Sequence, residues 1–376
     1  MAAEQKRYRV AVVGAAGSWG RNYLRAYAAH PRAEVVAIVD RARERRQAFA
    51  DRYGVPAVYD EVEELLSREV PDIVSVILPV GISPQVVITC AEAGVRAISC
   101  EKPIAVRLEE ADRMVTACRA RGAALGCGTA HWEGKGLIKM AQWVRDGGIG
   151  RLTGAAIPCG LAREVSGSGC VHLTRLRLIT GLEVEWVEGR VLPPFGWNEG
   201  WDLPGGGTAQ DLVDNHLHLD CPAHGRLGLT GGITCDIPLP RESGVPAFLW
   251  VAGEKGQLWG AHPESVIIEG TGAQATPVFP EFLQGEWPRD MFTPVVERLM
   301  TAIDQGREAQ CSGHDYRQAL EVAVALVLSA QRGGERVELP LTDRRQGIIP
   351  RPYRLSGGDA VGWQKSGHGG PPQLPA

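Results

Sequence analysis

The chain has 376 residues, of which 44% are hydrophobic and 22% are charged, and its formal net charge is −4. This length suffices for two domains with separate cores, and the composition is that of an ordinary globular protein. The acidic balance argues against a nucleic-acid-binding protein, and no apolar run approaches the ~18 residues needed to span a bilayer.

The N-terminus and the cysteines indicate a compartment. Residues 1–9 lead directly into an apolar run and contain no hydrophobic segment of signal-peptide type. The nine cysteines are dispersed and form no C-x-x-C pair. Such an odd, scattered set is typical of reduced thiols. We therefore predict a cytoplasmic protein without membrane or nucleic-acid partners.

The first predicted elements are a strand over residues 9–13, a glycine-rich turn, a helix from Arg21, and a strand over residues 35–39 that ends at Asp40. The interval of about 20 residues between the turn and this acid is typical of a dinucleotide-binding fingerprint. Small residues let the backbone approach a pyrophosphate, and the helix N-terminus supplies N–H groups. The cofactor contacts predicted here are Gly14, Gly17, Ser18, Trp19, Gly20 and Asp40.

The turn reads G-x-x-G-x-x-G, one residue longer than the standard fingerprint, so a plain tight turn is the alternative. Asp40 favours the dinucleotide site, because its carboxylate would accept hydrogen bonds from the adenosine ribose. It also favours NAD, because it would repel the 2′-phosphate of NADP. Arg41 leaves NADP open, since it could bind that phosphate or stack on adenine.

Strands and helices continue to alternate up to residue 128. The predicted helices cover 43–53, 60–67, 83–93 and 108–121, and the predicted strands cover 71–79, 95–100 and 123–128. This alternation predicts a parallel sheet with a ligand site at the carboxyl ends of its strands. Leu78, Pro79, Glu101 and Lys102 lie at that edge and complete the predicted cofactor site.

Lys102 directly follows a buried strand, where a lysine is unusual unless its proton is needed. Alcohol oxidation releases a proton as well as a hydride. Burial and a cationic nicotinamide ring both lower the pKa of a neighbouring lysine, which then accepts that proton. Lys102 is therefore the predicted catalytic acid/base.

Several segments, in order, resemble the Gfo/Idh/MocA family, named for glucose–fructose oxidoreductase and inositol dehydrogenase. They are residues 72–79, 93–95, 101–103, 109–112, 149–152, 312–315, 319–321 and 337–341. The resemblance implies an α/β Rossmann domain plus an α+β domain with an open, mostly antiparallel sheet. It also implies a homodimer or homotetramer, proton transfer by Lys102, and a Lys102–Pro103 peptide that can be cis. The predicted domains are 1–127, 128–345 and an irregular tail over 346–376.

Family dehydrogenases carry an aspartate four residues before a histidine that begins a helix in the second domain. Here His172 takes the histidine position, and Ser168 stands where the aspartate belongs. A serine can hold a substrate hydroxyl but is not a base at neutral pH. The resemblance therefore leaves Lys102 and His172 as the proton-handling pair, with a structural, helix-capping His172 as the alternative.

Other residues keep alternatives open. A rival alignment uses Asp214 and His218, but residues 215–221 alternate with period two and predict a strand, with a hairpin turn at residues 225–226. A histidine pair on that strand could bind zinc with a nearby aspartate, yet a polar sheet face is preferred and no metal site is predicted. His131 and Arg163 are candidate substrate contacts, with structural roles as the alternative.

The predicted function is hydride transfer between NAD(P) and a ring hydroxyl or keto carbon of a sugar, sugar derivative or cyclitol. The substrate is thus a small polyhydroxylated ring. The missing aspartate favours an alternative in which tightly bound NAD oxidises a hydroxyl transiently to permit elimination, epimerisation or glycoside cleavage. A non-catalytic NAD(P)-binding protein is a third possibility, against which the intact Glu101-Lys102-Pro103 argues.

Overall fold

A computed structural model describes residues 6–128, 136–197, 200–240, 247–261, 264–283, 290–366 and 371–374. Within these ranges, no helix combines the length and the apolar character needed to cross a bilayer. All nine cysteines are free, and all but Cys159 are buried.

The N-terminal part is a six-stranded parallel sheet with helices on both faces. Its strands are β1 (Tyr8–Val13), β2 (Ala33–Val39), β3 (Ala57–Tyr59), β4 (Ile73–Val76), β5 (Ala97–Cys100) and β6 (Ala124–Cys127). Its helices are α1 (Gly20–Ala29), α2 (Arg43–Tyr53), α3 (Val62–Arg68), α4 (Ser83–Ala93) and α5 (Leu108–Ala120). Strands covered on both faces are apolar throughout, as in the fully buried β4 and β5. The order β3-β2-β1-β4-β5-β6 reverses between β1 and β4, where open α/β sheets bind ligands.

The second part is a nine-stranded sheet in the order β15-β14-β13-β12-β7-β11-β10-β8-β16. Its strands are β7 (Leu152–Ala156), β8 (Val184–Val191), β10 (Ala223–Leu229), β11 (Ile233–Ile237), β12 (Ala247–Gly253), β13 (Gly256–Ala261), β14 (Val266–Glu269), β15 (Thr276–Val278) and β16 (Val337–Glu338). Among the described strand pairs of this second sheet, only β7 and β11 pair in parallel. The structure confirms the predicted fold class, a Rossmann domain plus a domain with an open, mostly antiparallel sheet.

The remaining elements connect the two sheets. They are α6 (Leu137–Arg145), α7 (Cys170–Thr180), α8 (Thr293–Gln305), α9 (Gly313–Gln331), α10 (Pro352–Ser356), α11 (Gly358–Val361), and the short parallel pair β9 (Leu217–Leu219) and β17 (Gly347–Ile349). Helix α9 begins with a capping box of Ser312 and Asp315 and is buried on most sides. It packs against β8, α7 and α5, and so belongs to both cores.

Two expectations differ from the structure. The hairpin turn predicted at residues 225–226 is wrong: β10 runs through this segment and pairs with β8. Gly225 is needed there because a Cβ would lie 2.1 Å from the Glu188 carbonyl oxygen. The tail over 346–376, predicted to be irregular, contains β17, α10 and α11. The buried Ile348 and Ile349 pack it against the rest of the molecule. The domain boundaries stay predictions.

Candidate active site

A cavity of about 620 Å³ lies at the carboxyl ends of β1, β2, β4 and β5. This volume is typical of small-molecule sites. The residues predicted to contact a cofactor all line it: Gly14, Gly17, Ser18, Trp19, Gly20, Asp40, Arg41, Leu78, Pro79, Glu101 and Lys102.

The glycine turn forms one wall because side chains do not fit there. Gly14 has a φ of +77°, and its Cβ would lie 2.2 Å from the Ile77 carbonyl oxygen. A Cβ on Gly20 would lie 1.9 Å from the Gly14 carbonyl oxygen. The ten-residue helix α1 starts at Gly20, so its positive N-terminal end faces the cavity. A bare turn that leads into a helix N-terminus fits a pyrophosphate.

Asp40 holds the loop beside this turn. Its Oδ2 accepts a hydrogen bond from the Ala16 N–H at 2.9 Å, and its Oδ1 accepts one from the Ala42 N–H at 2.8 Å. Burial raises the pKa of the Asp40 carboxyl, and these two bonds oppose that shift. A carboxylate has about four acceptor sites, so Asp40 keeps capacity for ribose hydroxyls.

The two arginines that line the cavity beside Asp40 are paired with carboxylates. Arg41 donates to Glu61 through Nε at 2.8 Å and through a terminal nitrogen at 3.1 Å. Arg45 donates to the Ala16 carbonyl oxygen at 3.3 Å and forms an ion pair with Asp359. This end of the cavity is therefore rich in negative charge, since its wall also includes Asp60 and Glu63.

Lys102 lies at the other end of the cavity from Asp40, just after β5. Its peptide bond to Pro103 is cis, as the family resemblance allowed. Its Nζ lies 5.6 Å from the centroid of the Trp19 ring, within cation–π range. The neighbouring Glu101 accepts a hydrogen bond from the Tyr23 hydroxyl at 2.7 Å. Burial raises the pKa of Glu101, and the charge of Lys102 opposes this shift. A fixed carboxylate thus accompanies the ammonium group.

Of the predicted second-domain residues, Ser168, His172 and Arg163 lie outside the wall of this cavity. Ser168 donates to the Glu164 carbonyl oxygen at 3.1 Å within a π-helical turn (Val165–Gly169). The ring nitrogens of His172 lie 3.8 and 3.9 Å from Cys159 Sγ. The exposed Arg163 stacks on Phe195 at 5.3 Å. His131 lies outside the described residues.

The start of α7 nevertheless lies near Lys102. Burial raises the pKa of the Cys170 thiol to about 12, and the charge of Lys102 acts against this rise. Cys170 is the first residue of α7, two positions before His172. The first residue of the helix that carries His172 therefore lies within electrostatic range of Lys102.

Three residues near Lys102 are not site candidates from the sequence: Arg354, Glu164 and Asp220. Arg354, which lines the cavity, donates to Glu164 Oε1 through Nε at 2.9 Å and a terminal nitrogen at 2.6 Å. Asp220 accepts bonds from the Val165 N–H at 2.7 Å and the Ser166 hydroxyl at 2.6 Å. Burial and the charge of Glu164 raise the pKa of Asp220 to about 7. Nothing local in the sequence signals contacts between residues this far apart.

The rival pair of Asp214 and His218 has structural partners. Asp214 Oδ1 accepts bonds from the N–H groups of His216 and Leu217. His218 is buried on β9, with its Nε2 at 2.9 Å from Gln346 Oε1. Over the described part of the chain, no cluster of three or more His, Cys, Asp or Glu side chains suits a metal ion.

Comparison with known proteins gives the family. A family model described as "Oxidoreductase family, NAD-binding Rossmann fold" matches residues 8–129. The D-apiose dehydrogenase of Paraburkholderia graminis is 34% identical over 146 residues, which are 39% of this chain and 38% of that protein, so this match spans less than half of the relative.

Two further similarities cover more of the molecule. A levoglucosan dehydrogenase in complex with NADH and levoglucosan shares the fold, with a TM-score of 0.70 and 17% identity over 89% of this chain and 100% of that one. The dTDP-3,4-didehydro-2,6-dideoxy-alpha-D-glucose 3-reductase of Streptomyces violaceoruber is 32% identical over 293 residues, which are 71% of this chain and 84% of the reductase. With so much of one relative matched at this identity, and the family model matched around the cavity, the chain belongs to the NAD-binding Gfo/Idh/MocA oxidoreductases.

Proposed function

We propose that this enzyme transfers a hydride between NAD and a ring hydroxyl or keto carbon of a sugar, sugar derivative or cyclitol. One observation carries the proposal: Lys102 and the glycine turn line the same cavity. The relatives support the substrate class, since their names describe dehydrogenases and reductases of sugars. They do not favour the alternative of elimination, epimerisation or glycoside cleavage with retained NAD.

Different parts of the cavity wall would bind different parts of the cofactor. The glycine turn and the N-terminus of α1 would hold the pyrophosphate, and Asp40 the adenosine ribose. When bound, the nicotinamide supplies the acceptor or donor of the hydride. Trp19, Leu78 and Pro79 would exclude water from the reacting end.

NAD is the preferred dinucleotide because of the charges around Asp40. Arg41 and Arg45, which line the cavity at this end, are already paired with Glu61 and Asp359. A 2′-phosphate would therefore meet carboxylates rather than free guanidinium groups. This arrangement supports NAD over NADP despite the presence of Arg41.

Proton transfer falls to Lys102. Its ammonium is placed beside Glu101, whose carboxylate is held by the Tyr23 hydroxyl. In the oxidation direction the neutral amine of Lys102 would accept the proton of the substrate hydroxyl and become the ammonium, and in reduction the ammonium would return that proton. His172 would orient or relay it. Ser168, Arg163 and His131 are the further proposed substrate contacts.

A second copy of the chain is the proposed partner, in a homodimer or homotetramer formed through the open sheet. The half-buried Trp250 and Trp259 of adjacent strands lie 6.0 Å apart and both donate to Gln257. Tryptophans on a sheet face are typical of interfaces. Sedimentation velocity should show a dimer or tetramer at micromolar concentration, and a monomer would contradict this.

The substitution Lys102→Met tests the catalytic role. We expect turnover, followed by NADH absorbance across a panel of sugars and cyclitols, to fall by about 10³-fold, because general acid–base catalysis is lost. The dissociation constant for NAD, measured by titration calorimetry, should change by less than about threefold, because the glycine turn and Asp40 are intact.

Lys139→Met is the matched control, since Lys139 is exposed on α6 away from the cavity wall. It should leave both quantities unchanged. Full activity in the Lys102 variant, or a loss of NAD binding in parallel with activity, would show that Lys102 is a structural residue.

A further inference from the structure

The C-terminal segment 352–363 lines the same cavity as the glycine turn. Arg354, Gly357, Asp359 and Trp363 all contribute to the wall. We call this segment the C-terminal wall. It contacts the loop that follows β4 and, through Asp359, Arg45 beside the glycine turn, so it adds a wall that the strands and helices of the Rossmann domain do not supply.

Backbone contacts fix the C-terminal wall to the loop after β4. The Val80 N–H donates to the Arg354 carbonyl oxygen at 2.8 Å, and the Gly81 N–H donates to the Leu355 carbonyl oxygen at 3.1 Å. A Cβ on Gly357 would lie 2.9 Å from Pro79 Cγ. This close packing continues a surface that Rossmann proteins use for the cofactor.

Side chains fix the wall at both ends. The buried ion pair of Arg354 with Glu164 ties its start to the second domain. At its far end, Asp359 pairs with Arg45 and accepts a hydrogen bond from Trp363 Nε1 at 2.7 Å. The Arg45 guanidinium also lies 5.9 Å from the centroid of a Trp363 ring.

Asp359 thereby brings a second carboxylate near Asp40. The charge of Asp359 adds to the burial that raises the pKa of Asp40, so the two groups lie within electrostatic range. Arg45 donates to the Ala16 carbonyl oxygen and so holds a cation against the glycine turn. If Asp359 were neutral, Arg45 would be available to an anion in the cavity.

We propose that the part of the C-terminal wall from Asp359 to Trp363 binds the adenosine half of NAD, and that Asp359 enforces NAD over NADP by occupying Arg45 and adding negative charge beside the ribose. This inference rests on the proposed function. It assigns selectivity to a residue more than 300 positions from Asp40 in the chain. Trp363 would supply an aromatic surface for the adenine.

The test compares NAD and NADP binding by titration calorimetry for the full-length chain and for Asp359→Asn. The substitution keeps the shape and removes the charge. We expect the ratio of the NADP to the NAD dissociation constant to fall by about tenfold, because Arg45 is released to pair with the 2′-phosphate. Asp236→Asn is the matched control: Asp236 has the same 61% side-chain exposure as Asp359 and also pairs with an arginine. In the Asp236→Asn variant, the ratio of the NADP to the NAD dissociation constant should stay at the wild-type value.

Trp363→Ala tests the wall without changing charge. We expect affinity for 5′-AMP to fall by about fivefold, because a stacking surface is lost, while affinity for nicotinamide mononucleotide stays unchanged. An unshifted dinucleotide ratio in Asp359→Asn, together with unchanged AMP binding in Trp363→Ala, would overturn this inference and leave the proposed function standing. If the wild-type chain binds neither dinucleotide, both fall.

Discussion

An ion pair at one end of the cavity is exposed to solvent, and an ion pair at the other end is buried. At the Asp40 end, Arg41 and Glu61 pair with 77% and 52% of their side-chain surfaces exposed. At the Lys102 end, Arg354 and Glu164 pair with 15% and 8% exposed. An exposed pair contributes little to stability, whereas loss of one partner from a buried pair leaves an uncompensated charge. The Arg41–Glu61 pair can therefore be changed without weakening the fold, and the Arg354–Glu164 pair cannot.

The largest effect is expected at the buried pair. Glu164→Gln should lower the free energy of unfolding by about 3 kcal/mol, because Arg354 is left buried without its partner. Relief of the repulsion between Glu164 and Asp220 keeps the loss at the lower end of the usual range. Urea unfolding at neutral pH measures it.

The double variant Glu164→Gln with Arg354→Gln serves as the control for this pair. It should recover part of the stability, because no unpaired charge remains. Equal losses in the single and double variants would mean that the pair is no more coupled than the exposed one.

A smaller effect is expected from pH at Asp220, in the same end of the molecule. Burial and Glu164 raise the pKa of Asp220 from 3.8 to about 7, so the folded state holds a proton that the unfolded state has lost. This contribution to stability is complete below about pH 4 and is lost as the pH rises through 7.

The variant Asp220→Asn, which cannot titrate, isolates the Asp220 contribution. Between pH 5 and pH 8 the wild type should lose more than about 1 kcal/mol of unfolding free energy relative to this variant. Parallel pH profiles of the two proteins would contradict the expectation, and Asp236→Asn, on the exposed sheet surface, should run parallel to the wild type.

The smallest effect is expected at the exposed pair. Glu61→Gln should change the free energy of unfolding by less than about 1 kcal/mol, because the exposed Arg41 remains solvated. It should also improve NADP binding less than Asp359→Asn does, because Arg41 is more exposed than Arg45 and its charge is better screened. A stability loss as large as that of Glu164→Gln would erase the distinction between the two ends.

The Asp40 end and Lys102 were accessible to sequence reasoning because their residues lie in short strand–turn–helix segments. Local chain geometry determines where Gly14, Gly20 and Asp40 lie once the strands form. The contacts of Arg354 and Asp359 were not accessible. Their partners lie 190 and 314 residues away, and ion pairs leave no periodic pattern.

The sequence also predicts the tail and the Gly225 segment incorrectly, for a related reason. Few large apolar residues occur in the tail, so hydrophobic patterning gives no sign that backbone bonds and ion pairs hold it. Gly225 predicts a turn in the sequence, although in the structure it allows close approach of β8 instead. Glycine marks both situations, and only the partner strand distinguishes them.

Helix α9 has a consequence for how the molecule melts. A single hydrophobic cluster contains Val13 of β1, Leu227 of β10 and Leu326 of α9, so the two sheets do not have independent interiors. One half of the molecule cannot unfold on heating while the other stays folded, because α9 would lose its packing against its neighbours. One cooperative calorimetric peak is therefore the signature of this architecture, although the chain is long enough for two.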